Sequence, residues 1–241
     1  MKQDKTYTIL YSSILVVVVG VVLATTYMEL KPKQDENIAN DKRCQILRAV
    51  HVIATEDDAK AVYDKYVTES FVINTKGERV SGDAFAVDEA YEMRKSADDR
   101  LLPVFECRLD NGETKYILPV YGAGLWGPIW GYVAVDSDGD TIYGAYFSHF
   151  GETPGLGAEI STEAFQKQFE GKKLYKDGEF RSVEVVKVGM IPHDGAQYVN
   201  AISGGTITSR GVQTMLADCL SDYNAFLEKL QNSYNHDIKE K

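Results

Sequence analysis

The chain has 241 residues, of which 44% are hydrophobic, and a formal net charge of −10. That content is enough for a core, so disorder over the whole length is excluded; so is a phosphate-tracking nucleic-acid surface, which needs clustered Lys and Arg. Three widely spaced cysteines, Cys44, Cys107 and Cys219, with no C-x-x-C and no H-E-x-x-H, indicate neither a metal site nor a disulfide framework, and they read as buried free thiols with at most one disulfide.

An uncharged tract runs from Thr6 to Met28 and includes ILVVVVGVVLA. As a helix rising about 1.5 Å per residue it spans roughly 35 Å, against about 30 Å for a bilayer core. A cleaved signal sequence would hold only about 7–15 apolar residues before a small-x-small site, whereas this tract continues through TTYM. Residues 1–28 therefore read as a retained transmembrane anchor. Lys2 and Lys5 favour a cytoplasmic N-terminus, a bias that Lys31 and Lys33 beyond the span reduce. Residues 29–41, ELKPKQDENIAND, are polar and read as a tether. Residues 42–241 then form one extracytoplasmic domain.

Within that domain Asp41 is a candidate N-cap, and Ile46, Leu47, Val50 and Ile53 recur at helical spacing. TEDD, Thr55 to Asp58, resembles a capping box before a second helix through Val62, Tyr63 and Tyr66. From Glu69 to Asp140 the pattern changes to short β-type runs, SFVINTKGERV, FECRLDNGETKYILPVY and IWGYVAVDSDGDTIYGAYF, punctuated by DNG and DGD turns. DSDGD lacks the twelve-position loop and terminal Glu of a calcium site and reads as a hairpin. Ser161 is placed to cap a helix through TEAFQKQFEG, followed by a strand at SVEVVKVGMI. Val212, Met215, Leu216, Cys219, Leu220, Tyr223, Phe226, Leu227 and Leu230 form one apolar stripe, the mark of a roughly 20-residue helix packed on a sheet. The fold class is α+β.

Three stretches carry chemistry. GAGLWG, Gly122 to Gly127, satisfies G-x-G-x-x-G, but Pro128 and a β-run follow where a dinucleotide site needs a helix, so it reads as a bend between strands. AISGG around Ser203 is a variant nucleophile elbow; too little chain remains after it for a triad, with His236 in a polar tail. GGTITSRG lacks the Lys of a P-loop. At the head of the striped helix two readings stand: Thr206 or Thr208 caps it, or its free N–H groups and positive dipole end hold an anion. HFGETPGLGAEI, His149 to Ile160, adds an acid, a Thr, a Pro and two glycines in a loop after a strand.

GLWG, ETPGLG and SGGT-x-TS, in this order after one N-terminal membrane segment, resemble the NqrC family, the FMN-carrying component of the sodium-translocating NADH:quinone oxidoreductase, over nearly the whole chain. The resemblance implies an FMN-binding domain of antiparallel sheet with packed helices. It implies an electron relay with no turnover catalytic residue, whose FMN a flavin transferase esterifies through the phosphate to Thr206. It places Trp126, Glu152, Thr153, Gly155, Leu156 and Gly157 at the flavin, together with Lys187, Ser203, Gly204, Gly205 and Thr208. The partners it implies are the other subunits of a membrane oxidoreductase complex, the flavin transferase and membrane lipid. The location is the bacterial inner membrane, single-pass, with the soluble domain on the periplasmic side. Gly205 stands where the acceptor motif usually has Ala, and Asn200 where it usually has Asp. The RnfG family of the ferredoxin:NAD oxidoreductase shares the acceptor and ETPGLG-type motifs, but GAGLWGPIWGYVAV looks more like the quinone-reductase family. An anchored ligand-binding domain without covalent flavin is the alternative of another class.

Overall fold

The first helix is longer than the uncharged tract that begins it. In a computed structural model describing residues 5–192 and 195–239, α1 runs from Lys5 to Arg48, 44 residues, with Pro32 inside it. Lys2 and Asp4, which bear on orientation, lie outside the described residues. Residues 29–41 are helical throughout, and Asp41 sits within the helix rather than at its start. Polar composition does not end a helix that is already nucleated, because each further residue adds one hydrogen bond without a new nucleation cost, and Glu, Lys and Gln propagate well. The tract Tyr7–Leu30 is exposed, and α1 alone among the described helices is long and apolar enough to cross a membrane. Contacts divide the chain into two compact units, Met1–Lys42 and Arg43–Lys241.

The second unit follows as α2 (Ala59–Tyr66), β1 (Val67–Ile73), β2 (Arg79–Val80), the short α3 (Glu89–Glu92), β3 (Leu102–Arg108), β4 (Thr114–Ala123), β5 (Pro128–Asp136) and β6 (Ile142–His149). After these come α4 (Glu163–Gln166), β7 (Tyr175–Lys176), β8 (Glu179–Phe180), β9 (Val183–Val186), β10 (Gln197–Asn200), α5 (Thr206–Asp222) and α6 (Asn224–Lys239). Six strands form an antiparallel sheet in the order β2-β1-β3-β4-β5-β6. Side chains alternate between its faces. Leu118, Val120, Val133 and Val135 pack toward Val212, Met215 and Leu216 of α5. Ile117, Tyr132 and Ala134 pack on the opposite face with Ile46, Ala49 and Val50. The fold is α+β, as expected.

Several boundaries differ from the sequence reading. TEDD supplies half a capping box: the Thr55 N–H donates to Asp58 Oδ1 at 2.6 Å, while Asp58 makes no side-chain cap on α2. Thr162 rather than Ser161 precedes α4, and the Ser161 hydroxyl donates back to the Ala158 carbonyl. SVEVVKVGMI is a strand only over Val183–Val186, pairing in parallel with β10; beyond it Gly189 takes φ +85° and Val188, Met190 and Ile191 are exposed. The final helix divides at Tyr223, whose hydroxyl donates to the Pro103 carbonyl. Its stripe is otherwise as expected, with Val212 through Leu227 buried and Leu230 half-buried.

All three cysteines are buried thiols outside any disulfide, and burial pushes the Cys219 thiol up to about 12. A thiol held that far above neutrality carries almost no thiolate and is unreactive.

Candidate functional site

Strand register and one helix packing contact bring the three motifs to the same end of the sheet. β4 and β5 pair from Lys115–Asp136 up to Ala123–Pro128, so GLWG is the tight turn between them, closed by the Gly124 N–H donating to the Gly127 carbonyl at 2.8 Å. His149, the last residue of β6, pairs with Ile129, and the Phe150 N–H donates to the Pro128 carbonyl. ETPGLG therefore leaves the sheet beside that turn. α5 lies tightly on β4: a Cβ at Gly122 would sit 2.7 Å from Met215 Cβ, and one at Gly211 would strike the Ala123 carbonyl. These two close approaches set the head of α5 against the other two motifs.

Glu152 joins all three. Its carboxylate is buried at 5% exposure; Oε1 accepts the Trp126 N–H at 2.8 Å and Oε2 accepts the Thr208 hydroxyl at 2.6 Å. Its own N–H donates to His149 Nδ1 at 3.1 Å, an arrangement that requires the neutral ring with its proton on Nε2. Two donors are what a buried carboxylate needs to offset its desolvation. A Cβ at Gly124 would lie 2.5 Å from Glu152 Oε1, and one at Gly157 2.5 Å from Thr208 Oγ1, so both positions require glycine to let the clasp close.

The head of α5 is uncapped. Gly205 is its N-cap and makes no side-chain bond, Thr206 is its first residue and is exposed, and the Thr208 hydroxyl is committed to Glu152. Neither threonine caps the helix. Among the described residues no acceptor takes the N–H groups of Thr206, Ile207 or Thr208. Ser209 Oγ accepts the Ile202 N–H at 3.0 Å, tying the preceding loop to the first turn.

Two clefts open on this head. One, of about 370 Å³, is lined by Leu125, Trp126, Glu152, Thr153, Leu156 and Gly157 together with Gly204 to Thr208. The other, of about 750 Å³, is lined by Lys187, Val188, Met190, Ser203, Arg210 and Gln213 among others. Gly204 and Thr206 line both.

The FMN-binding domain family matches residues 124–221. The NqrC component of the Na(+)-translocating NADH-quinone reductase of Vibrio anguillarum is 31% identical, over 90% of this chain and 92% of that one. Its Yersinia pestis counterpart is 32% identical, over 93% and 92%. The chain belongs to the NqrC family. Among solved structures, the family member from Parabacteroides distasonis superposes with a TM-score of 0.78 at 50% identity, covering 82% of this chain and 96% of that chain. NqrC of Shewanella oneidensis gives 0.67 at 27%, covering 80% and 98%.

The site residues expected of an NqrC protein divide by cleft. Trp126, Glu152, Thr153, Leu156, Gly157, Gly205 and Thr208 border the smaller one, Lys187 and Ser203 the larger, and Gly204 and Thr206 both. Gly155 lines neither; at φ +74° it turns the loop while its N–H donates to Glu159 Oε1 at 3.0 Å. Lys187 stands just past the end of β9 rather than on the strand. Trp126 is 66% exposed and so is not a core residue. Leu125, Ile207 and Arg210 escaped the sequence reading, although Arg210 stands four residues after Thr206 in the same stretch. His149 opened the quoted motif, but nothing in a single sequence ties its ring to the Glu152 N–H.

Proposed function

We propose that the Arg43–Lys241 unit carries FMN joined through its phosphate to Thr206, and that it relays electrons within a Na(+)-translocating NADH:quinone oxidoreductase to which α1 anchors it. The observation that carries this reading is the contrast between two threonines in one helical turn: Thr206 is exposed at an uncapped helix N-terminus and at the junction of two clefts, whereas Thr208 is buried and bonded to Glu152. Free N–H groups and the positive dipole end favour a phosphate there. Gly204 keeps the approach open. It holds φ +76°, and a Cβ would meet Leu156 Cδ2 at 2.6 Å. Both cleft volumes lie in the usual range for cofactor sites, about 300–1,000 Å³.

When bound, FMN supplies the electron chemistry, and the chain's residues hold and shield it. Leu125, Trp126, Leu156 and Ile207 present apolar surface that excludes water, and the Glu152 clasp fixes the frame. No side chain is required as a turnover acid, base or nucleophile. The carrier's partners in this reading are the other subunits of the complex, a flavin transferase that modifies Thr206, and membrane lipid around α1. Co-expression with a transferase followed by denaturing electrophoresis tests the attachment: in-gel flavin fluorescence stays with the band if FMN is covalent, and a dark band from folded protein rejects it.

The location that follows is the bacterial inner membrane with the FMN unit on the periplasmic side, supported by the exposed apolar tract and by Lys2 and Lys5 before it. A reporter enzyme active only outside the cytoplasm is expected to work when fused after Lys241, and a cytoplasm-dependent reporter is expected to be silent. The reverse pattern overturns the orientation.

Trp126→Ala separates cofactor contact from fold support. Because the ring is largely exposed, stability is expected to change by no more than about 0.5 kcal/mol. Covalent FMN is expected to remain, with an altered visible spectrum and a shifted midpoint potential. A contact worth about 1 kcal/mol corresponds to roughly 40 mV for a one-electron couple. An unchanged spectrum and potential beside a large fall in melting temperature would assign the ring to structural support instead.

A further inference from the structure

We infer that Glu152 is the residue that makes attachment specific for Thr206: it sequesters the neighbouring Thr208 hydroxyl and pins the head of α5. The inference rests on the reading of Thr206 as the attachment point and deepens it.

Thr206 and Thr208 stand two residues apart in the first turn of one helix, and a phosphoryl acceptor needs only an accessible hydroxyl. Local sequence therefore does not choose between them; a contact from 56 residues away does. Glu152 Oε2 accepts the Thr208 hydroxyl at 2.6 Å and holds that side chain at 1% exposure. Oε1 is occupied by the Trp126 N–H. Ser209, the next hydroxyl, is also 1% exposed and accepts the Ile202 N–H, while Ser203 precedes the helix. Within the first turn this leaves Thr206 as the exposed acceptor. The hold is made three times over: by the two carboxylate bonds, by the Glu152 N–H on His149 Nδ1, and by the glycines at 124 and 157 that admit the carboxylate between them.

The covalent step balances without redox change. Thr206 Oγ forms a bond to the flavin phosphate as the phosphoanhydride of a flavin dinucleotide donor breaks. The nucleoside monophosphate departs, and the hydroxyl proton passes to a base supplied by the transferase.

The test uses the full chain co-expressed with the transferase, with peptide mass mapping of the modified residue, flavin occupancy and melting temperature as readouts. Glu152→Gln keeps an oxygen for the Trp126 N–H and an amide beside Thr208. It is expected to carry FMN on Thr206 and none on Thr208. Glu152→Ala is expected to lose tenfold or more of the Thr206 occupancy and to place FMN on Thr208. The Glu152→Ala/Thr206→Val double variant is expected to carry it on Thr208 alone, whereas Thr206→Val with Glu152 intact carries none. Wild-type occupancy confined to Thr206 in a folded Glu152→Ala protein overturns the inference. So does FMN on Thr208 of the wild-type chain. If Glu152→Ala does not fold, Glu152→Asp decides: its carboxylate is one methylene shorter, and wild-type occupancy confined to Thr206 in that variant overturns the inference. A folded wild-type chain that acquires no covalent flavin refutes the attachment reading itself, a result distinguishable from either outcome at Glu152.

Discussion

Thr206→Val is expected to give folded protein with no covalent flavin, a fall from full occupancy to none. The substitution replaces a hydroxyl by a methyl group on a β-branched side chain of nearly the same shape. At an exposed position whose helix propensity barely changes, the stability cost is within about 0.5 kcal/mol. Among the described residues the Thr206 side chain makes no hydrogen bond that the change would break. Thr208→Val has the opposite signature. It strips a donor from a buried carboxylate oxygen, at a cost of about 1–3 kcal/mol, and so is expected to lower the melting temperature while leaving FMN on Thr206. Circular dichroism, melting curves and in-gel fluorescence of the two variants together separate attachment from structure. Fluorescence that survives denaturation in Thr206→Val would remove Thr206 as the acceptor.

What the sequence made legible here is what repeats locally or matches a known pattern. The α5 stripe follows from a 3- and 4-residue period that only a helix aligns, and the hairpins follow from turn chemistry at DNG and DGD. The family resemblance located Thr206, Trp126 and the ETPGLG loop, which line the clefts at one end of the sheet. Less accessible were features set by distant partners. The bonds of Glu152 to the Trp126 N–H and the Thr208 hydroxyl cross 26 and 56 residues, and no local pattern announces them. The strand expected through Ile191 ends at Val186, because β10 offers partners only for Val183 to Val186 and an apolar run without a partner strand stays a loop. Residues 29–41 looked like a tether because their composition is polar, yet a helix entering from one side needs no amphipathic signal to continue.

Removing residues 1–42 is expected to yield a soluble, folded protein, and removing residues 1–50 is expected to abolish folding, although the two cuts differ by only eight residues. The first cut falls at the boundary between the two compact units and takes away the whole exposed apolar tract. It leaves the last residues of α1, which alone are too short to be helical in water and are held by packing rather than propensity. Those residues belong to the core of the second unit. Ile46 and Leu47 are fully buried and Val50 nearly so; Ile46 and Val50 pack with Phe105, Ile117 and Ala134, and Leu47 with Ala54 and Ala59. Truncating a buried Ile or Leu to Ala costs about 2–5 kcal/mol. Losing Ile46 and Leu47 together thus removes about 4–10 kcal/mol, comparable to the whole stability of a domain, about 5–15 kcal/mol. Deleting their backbone as well uncovers the outer face of β3, β4 and β5, exposing Phe105, Ile117 and Tyr132. Ultracentrifugal partition and thermal melts of the two truncations measure the difference. A 1–50 deletion that melts cooperatively at the temperature of the 1–42 deletion would show that the end of α1 is dispensable to the core and that the sheet is covered on that face by α2 and its flanking loops alone.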